Sequence, residues 1–230
     1  MNEQPLLIVD LEATCWENRA TPEGEPQTIR NMEIIEFGCA LTTRAGELLD
    51  SMSFLVRPAK TPQLSEFCTT LTSITQPMIE AAPTFPEVCQ MIDAWLGQPN
   101  EDFIWCSWGN YDRLHIQASG QEYSCAPTFM RFPHLNLKRI WRRTTGQKRK
   151  NGMIHALTFH GLTIEGHLHR GVDDARNMVR LLPFMDWSLE AELLTWPGIE
   201  LLKGLVTSDK GISIEEMEQA IREKAGDISE

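Results

Sequence analysis

The stretch LLIVDLEATC, residues 6–15, decides how the chain is read. Residues 6–9 form an uninterrupted apolar run that is too short for a helix and reads as a buried strand ending in Asp10. Side chains alternate across a strand, so Asp10 and Glu12 project from the same side. Pro22, Gly24 and Pro26 mark the loop that follows. Beyond it, residues 34–41 and 51–56 read as two more strands joined in a hairpin at Ala45-Gly46. TFPE at residues 84–87 has capping-box spacing, and Phe85, Val88, Ile92 and Trp95 then recur at helical period. Residues 103–108 read as a fourth strand, the chain from Tyr111 as a helix, and residues 135–137 as a fifth strand. Residues 154–160 and 172–182 both read as helices. Three strands followed by alternating helices and strands describe an α/β fold with a central mixed five-stranded sheet flanked by helices.

After Pro183 the pattern changes. Residues 187–205 read as an apolar helix, and SIEE at residues 213–216 opens an acidic helix with Ile212 and Met217 placed as a staple. The expected division is therefore a main domain at residues 1–185 and a C-terminal helical extension at residues 186–230. Composition fits this picture: 42% apolar residues supply a core for one domain, and 23% charged residues supply an ordinary soluble surface. No apolar run approaches a membrane span, and residues 1–9 have no basic n-region, so a cytoplasmic protein without a signal peptide is expected. The six cysteines contain no C-x-x-C pair, which argues against a zinc ribbon or redox motif and for reduced, buried thiols.

The formal net charge of −11 argues against non-specific coating of nucleic acid. The charge is unevenly spread, however. Residues 138–150 carry Lys138, Arg139, Arg142, Arg143, Lys148, Arg149 and Lys150 and no carboxylate. Such a strip is either a phosphate grip or a solvated helix face and loop.

Two carboxylates on one strand face repel, so Asp10 and Glu12 gain a purpose if a divalent cation lies between them; hard oxygen donors suit magnesium or manganese. Alone, an Asp-x-Glu carries little information. Asp112, in WGNYD at residues 108–112, falls in the first turn of a helix, where the macrodipole favours a carboxylate in any case. In HRGVDDA, residues 169–175, Asp174 sits in the first turns of an apolar-periodic helix and His169 in the loop before it. That spacing hangs an imidazole beside a helix-mounted carboxylate. Asp173 is expected to face away, and His167 has no special claim.

In order and spacing, these residues resemble the three motifs of the DEDDh (DnaQ-like) 3′→5′ exonucleases, which have a ribonuclease H-like fold. The resemblance is closer to the branch with enhanced-RNAi-type and histone-mRNA-end exoribonucleases and their bacterial sporulation-inhibitor-type relatives. VDLEATC (residues 9–15), EIIEF (33–37), LSEFCTTLTSITQ (64–76) and GHLHRGVDDARN (166–177) resemble that branch's signatures, and the likeness spans residues 6–183. Trp16, where a smaller or polar residue is usual, and His160, where a leucine is usual, depart from the pattern.

The resemblance implies a metal-dependent hydrolase that cuts single-stranded nucleic acid, RNA favoured, from the 3′ end to nucleoside 5′-monophosphates. It implies that Asp10, Glu12, Asp112 and Asp174 hold two Mg2+ or Mn2+ ions, roughly 3.5–4 Å apart in such sites, and that His169 is the general base. Glu12, Ala13 (through its backbone N–H) and His169 would meet the terminal nucleotide. Residues 71–75 would wedge beside the last base or simply pack in the core. Arg142, Arg143, Lys148 and Arg149 would hold upstream phosphates. A DNA-directed proofreading or repair exonuclease, a catalytically silent binding module of the same fold, and an unrelated metal-dependent hydrolase are the alternatives; nothing in the sequence reads the 2′-hydroxyl.

Overall fold

The run at residues 6–9 is continuous because its strand is buried on both faces. In the computed structural model, described for residues 5–148 and 151–197, β1 spans Leu6–Ala13. Leu6 and Ile8 enter one apolar cluster and Leu7 and Val9 another, on opposite sides of the sheet. A strand sandwiched in this way shows no apolar/polar alternation. β1 pairs antiparallel with β2 (Ile34–Thr42), which pairs antiparallel with β3 (Leu48–Leu55). On its other side β1 runs parallel to β4 (Ile104–Ser107), and β4 to β5 (His134–Asn136). A sixth strand, β6 (Leu194–Thr195), gives the order β3-β2-β1-β4-β5-β6.

β3 begins three residues before the expected Ser51. Its register carries the pairing back to Thr42 opposite Leu48, next to a turn closed by Thr43 N–H to Glu47 O at 3.0 Å. As the edge strand it leaves Leu48, Leu49 and Met52 exposed, so hydrophobicity does not mark its start.

The helices cover both faces. α1 (Glu66–Thr72) and α2 (Gln76–Glu80) form a small lobe around buried Cys68, Ile74 and Ile79. α3 (Phe85–Leu96) starts at the expected capping box, with Glu87 accepting from the Thr84 N–H at 2.7 Å. α3 packs Phe85, Val88 and Ile92 on one face of the sheet, where Ile116 of α4 (Tyr111–Tyr123) joins them. The opposite face is covered by α5 (Leu137–Thr145), α6 (Met153–Phe159) and α7 (Gly171–Val179). α7 ends before the expected Leu182 because Pro183 follows and the chain tightens into a 3-10 turn, Leu182–Phe184.

Both departures from the family pattern have local partners. Trp16 is buried, and its backbone N–H donates to Gln27 Oε1 at 2.9 Å, tying down the loop after β1. His160 accepts from Trp141 Nε1 at 2.9 Å and stacks on Phe184, a contact a leucine cannot make. The cysteines are all free, and five are buried.

The continuous helix expected from residue 187 is not formed in the described part. Trp187–Leu189 is a 3-10 turn, α8 is only Glu190–Leu193, and β6 follows. Pro197 pushes the residue before it out of the helical region, which favours the extended exit. Leu193 is buried in the main core, and the first compact unit runs to Leu194. The acidic helix expected from Ser213 lies outside the described residues. Among the described residues, no helix is long and apolar enough to cross a membrane.

α7 meets the sheet without an intervening side chain. A Cβ on Gly38 of β2 would lie 1.8 Å from the Gly171 carbonyl carbon, and one on Gly171 would lie 2.9 Å from Asp10 O. Gly38→Ala is therefore expected to destabilise the fold by at least about 1–3 kcal/mol, read as a lower urea midpoint at constant slope. An unchanged midpoint would contradict this packing.

Candidate active site

Five of the sequence-selected residues, Asp10, Glu12, Asp112, His169 and Asp174, line one cavity of about 360 Å³. Each arrives by a different local device. Asp10 and Glu12 alternate onto the same side of β1, followed by a register shift at Glu12/Ala13. Asp112 sits in the first turn of α4, and its Oδ1 accepts the Leu11 N–H at 3.2 Å, which ties that helix to β1. His169 lies two residues before α7 with φ +62°. This left-handed conformation is uncommon for a residue with a side chain. It lets the His169 N–H reach Asp174 Oδ2 at 3.1 Å.

Asp173 does not line the cavity. Its carboxylate accepts the His167 N–H at 2.9 Å and pairs with Arg176 at 3.2 Å, so it closes the loop while His167 stays exposed.

The cavity concentrates negative charge in a poorly hydrated place. Glu12, Asp112 and Asp174 are only 8%, 6% and 5% exposed. Burial, and then repulsion from Asp112, Glu12, Asp174 and Glu36, holds Asp10 well above the usual carboxylate range. Burial followed by Asp174 and Glu36 pushes Glu12 up to about 9. Burial raises Asp112 and Asp174 to about 6, although the Leu11 and His169 N–H groups respectively oppose the rise. Burial lowers His169, favouring neutral imidazole.

The donor set fits a divalent cation. Donor atoms of Glu12, His169 and Asp174 all lie within 4.8 Å of one another. Asp174 Oδ1 is buried without a hydrogen-bond partner, an acceptor short of positive charge. Carboxylate oxygens are what magnesium and manganese select, and a cation would relieve the mutual repulsion that burial enforces.

The remaining sequence candidates lie elsewhere. Ala13 is buried at the end of β1, its carbonyl accepting from Cys68 Sγ at 3.6 Å. In the expected wedge segment, Thr72 and Ile74 are core residues and Leu71 is half-buried. Within the basic strip, Arg142 donates to the carbonyls of Gln147 (3.2 Å) and Lys148 (2.7 Å), closing the end of α5. Arg143 pairs with Glu192 at 2.9 Å, Lys148 is exposed, and Arg149 lies outside the described residues. Arg142, Arg143 and Lys148 do not line the cavity.

Sequence reading missed the apolar wall, to which Trp108, Tyr111, Ile154 and Leu168 contribute. It also passed over Glu36, a fully buried carboxylate opposite Glu12 in the β1–β2 register. The available signal was one acidic residue inside the otherwise apolar run of β2, since a lone buried charge requires a reason.

Comparison with known proteins identifies the family and the fold. Residues 7–182 match the RNase_T family, described as exonucleases. The human protein ERI1 exoribonuclease 3 is 32% identical over 76% of this chain and 52% of its own length, so the chain spans about half of that relative. The 3′-5′ exonuclease eri1 of Schizosaccharomyces pombe is 30% identical over 83% of this chain and 71% of its own. Among solved structures, the nuclease domain of 3′hExo, a DEDDh family member bound to rAMP, superposes with a TM-score of 0.70. That match has 26% identity and covers 83% of this chain and 94% of that one.

The raised carboxylates predict how the metal-free protein responds to pH. With Glu12 at about 9 when folded against 4.5 ordinarily, the folded state binds more protons than the unfolded state throughout that window. Stability therefore falls as pH rises through it. In EDTA, Tm is expected to decline from about pH 5 to pH 9, and Glu12→Gln should flatten part of the decline. Parallel curves for the two proteins would contradict the buried-repulsion account.

Proposed function

The chain belongs to the RNase_T exonuclease family, and on that premise we propose that it is a divalent-cation-dependent 3′→5′ exonuclease acting on single-stranded nucleic acid, RNA in preference to DNA. The observation that carries the proposal is the meeting of Asp10, Glu12, Asp112, His169 and Asp174 in one cavity. The RNA preference is supported by the exoribonuclease activity for which the human relative is named. The products are nucleoside 5′-monophosphates.

Asp10, Glu12, Asp112 and Asp174 hold two Mg2+ or Mn2+ ions. What the ions supply when bound is a more acidic water and neutralised charge at the scissile phosphate. His169, kept neutral by burial, takes the proton of the attacking water at a ring nitrogen. Its neighbour Asp174 fixes its backbone through the hydrogen bond to its N–H. Glu12 and the Ala13 N–H meet the terminal nucleotide, and the Trp108 and Tyr111 rings give the cavity wall an apolar, stackable surface for its base. Arg142, Arg143, Lys148 and Arg149 hold phosphates further upstream. For Arg143 this exchanges an exposed ion pair with Glu192, of a kind worth ~0–1 kcal/mol, for a phosphate contact.

A time course on 5′-labelled single-stranded RNA and DNA, with magnesium, manganese or EDTA, tests the reading. A metal-dependent ladder shortening from the 3′ end is expected, faster on RNA, and lost in Asp10→Asn. His169→Ala should lower turnover about 10²–10⁴-fold with substrate binding nearly intact. Cleavage in EDTA, or full activity in Asp10→Asn, would overturn the proposal.

The basic strip has its own test. Neutralising Arg142, Arg143, Lys148 and Arg149 together is expected to weaken long substrates more than dinucleotides and to flatten the salt dependence of binding. Equal loss on both substrate lengths would remove the strip from the substrate path.

A further inference from the structure

Glu36 is fully buried near the start of β2, a place where a carboxylate needs a purpose. Its oxygens meet only donors. Oε1 accepts from Ser53 Oγ at 2.6 Å, and Oε2 accepts the Gly171 N–H at 3.0 Å. The Arg170 guanidinium lies against both oxygens, at 3.3 and 3.4 Å. Gly171 is the first residue of α7, and Arg170 directly follows His169. Glu36 therefore grips the two residues between His169 and the body of the helix that carries Asp174. On the sheet side it stands opposite Glu12 in the antiparallel register.

We infer that Glu36 is a positioning residue, whose clamp on Arg170 and Gly171 sets His169 and Asp174 at working distance from Glu12. This rests on the exonuclease reading of the site. His169 adopts a left-handed backbone conformation that a residue with a side chain leaves readily. Two sets of contacts hold it there: its own N–H on Asp174, and the grip of Glu36 on the next two residues.

The close approach of Gly38 to Gly171 fixes the height of α7 over the sheet. The directional bonds to Glu36 add a fixed point just beyond His169. An acceptor-only group matches these three donors, whereas a glutamine of the same shape turns its NH2 toward one of them. Stability alone does not explain the choice, because Glu36 adds to the repulsion felt by Asp10, Glu12 and Asp174.

The test is Glu36→Gln in two backgrounds. With wild-type His169, kcat on single-stranded RNA is expected to fall about 10–100-fold, the usual size for a group that orients site ligands, with KM little changed. In a His169→Ala background most of that loss should disappear, because the two residues act as one unit. In the metal-free protein, Glu36→Gln should speed hydrogen exchange at the Gly171 and His169 amides while far-UV circular dichroism stays unchanged. If Glu36→Gln does not fold, Arg170→Ala takes its place. It leaves Glu36 on Ser53 and Gly171 and should show the same pattern at smaller size.

An unchanged kcat, or an equal loss in both backgrounds, would overturn the inference, as would unchanged exchange at Gly171. A wild-type chain without metal-dependent cleavage would defeat the exonuclease reading, while the exchange measurement would still decide whether the clamp exists.

Discussion

The backbone-to-backbone contact between Gly38 and Gly171 is the constraint on which the site depends. With no side chain on either residue, the first turn of α7 lies directly on β1 and β2, close to Asp10 O and Gly38 N. Everything α7 carries is placed by that approach. Ala175, Met178 and Val179 enter the core cluster that also holds Leu6 and Ile8 of β1. Asp174 and the preceding His169 meet the carboxylates of β1 at the cavity. A side chain at either glycine would lift the helix and separate the two halves of the donor set.

The fold contains acidic residues of two kinds, and their hydrogen bonding tells them apart. Glu33, near the start of β2, receives the backbone N–H groups of Ala59, Lys60 and Thr61 at 2.6–3.0 Å. Its charge is satisfied by the protein, and it staples a loop. Asp10, Glu12 and Asp174 of the cavity are not satisfied in this way. Asp112 and Asp174 each take one backbone N–H from a neighbouring segment, and Asp174 Oδ1 has no partner. Their raised proton affinities express the same shortage, since burial removes water and neighbouring anions replace it. A cluster built to be short of positive charge is suited to hold cations.

Much of this was legible in the sequence because it depends on local order. The strand of residues 6–9, the hairpin at Ala45-Gly46, the capping box at Thr84 and the helix bearing Asp174 all follow from patterns within a dozen residues. The five cavity residues were legible as a set because their order and spacing resemble the motifs of a known exonuclease family; strand alternation and helix starts account for where Asp10, Glu12, Asp112 and Asp174 emerge.

What escaped depends on partners far away in the chain. Glu36 and Glu33 are three residues apart, one in β2 and one just before it, and only the segments that reach them, residues 170–171 and 59–61, distinguish clamp from staple. Trp108 and Ile154 line the cavity from elements whose packing no local pattern announces. Arg142 and Arg143 looked like a free basic face, yet the first closes its own helix end and the second finds Glu192, 49 positions on. The start of β3 was hidden because an edge strand leaves apolar residues in water.

The central claim is that the buried carboxylates form a binding site for divalent cations, at the expense of protons they would otherwise keep. Calorimetric titration of Mn2+ into the metal-free protein near neutral pH, in two buffers of different ionisation enthalpy, tests it most directly. The account predicts two ions bound per chain with net proton release, because Glu12 at about 9 must give up its proton to bind. Absence of saturable binding, or binding without proton release, would contradict it.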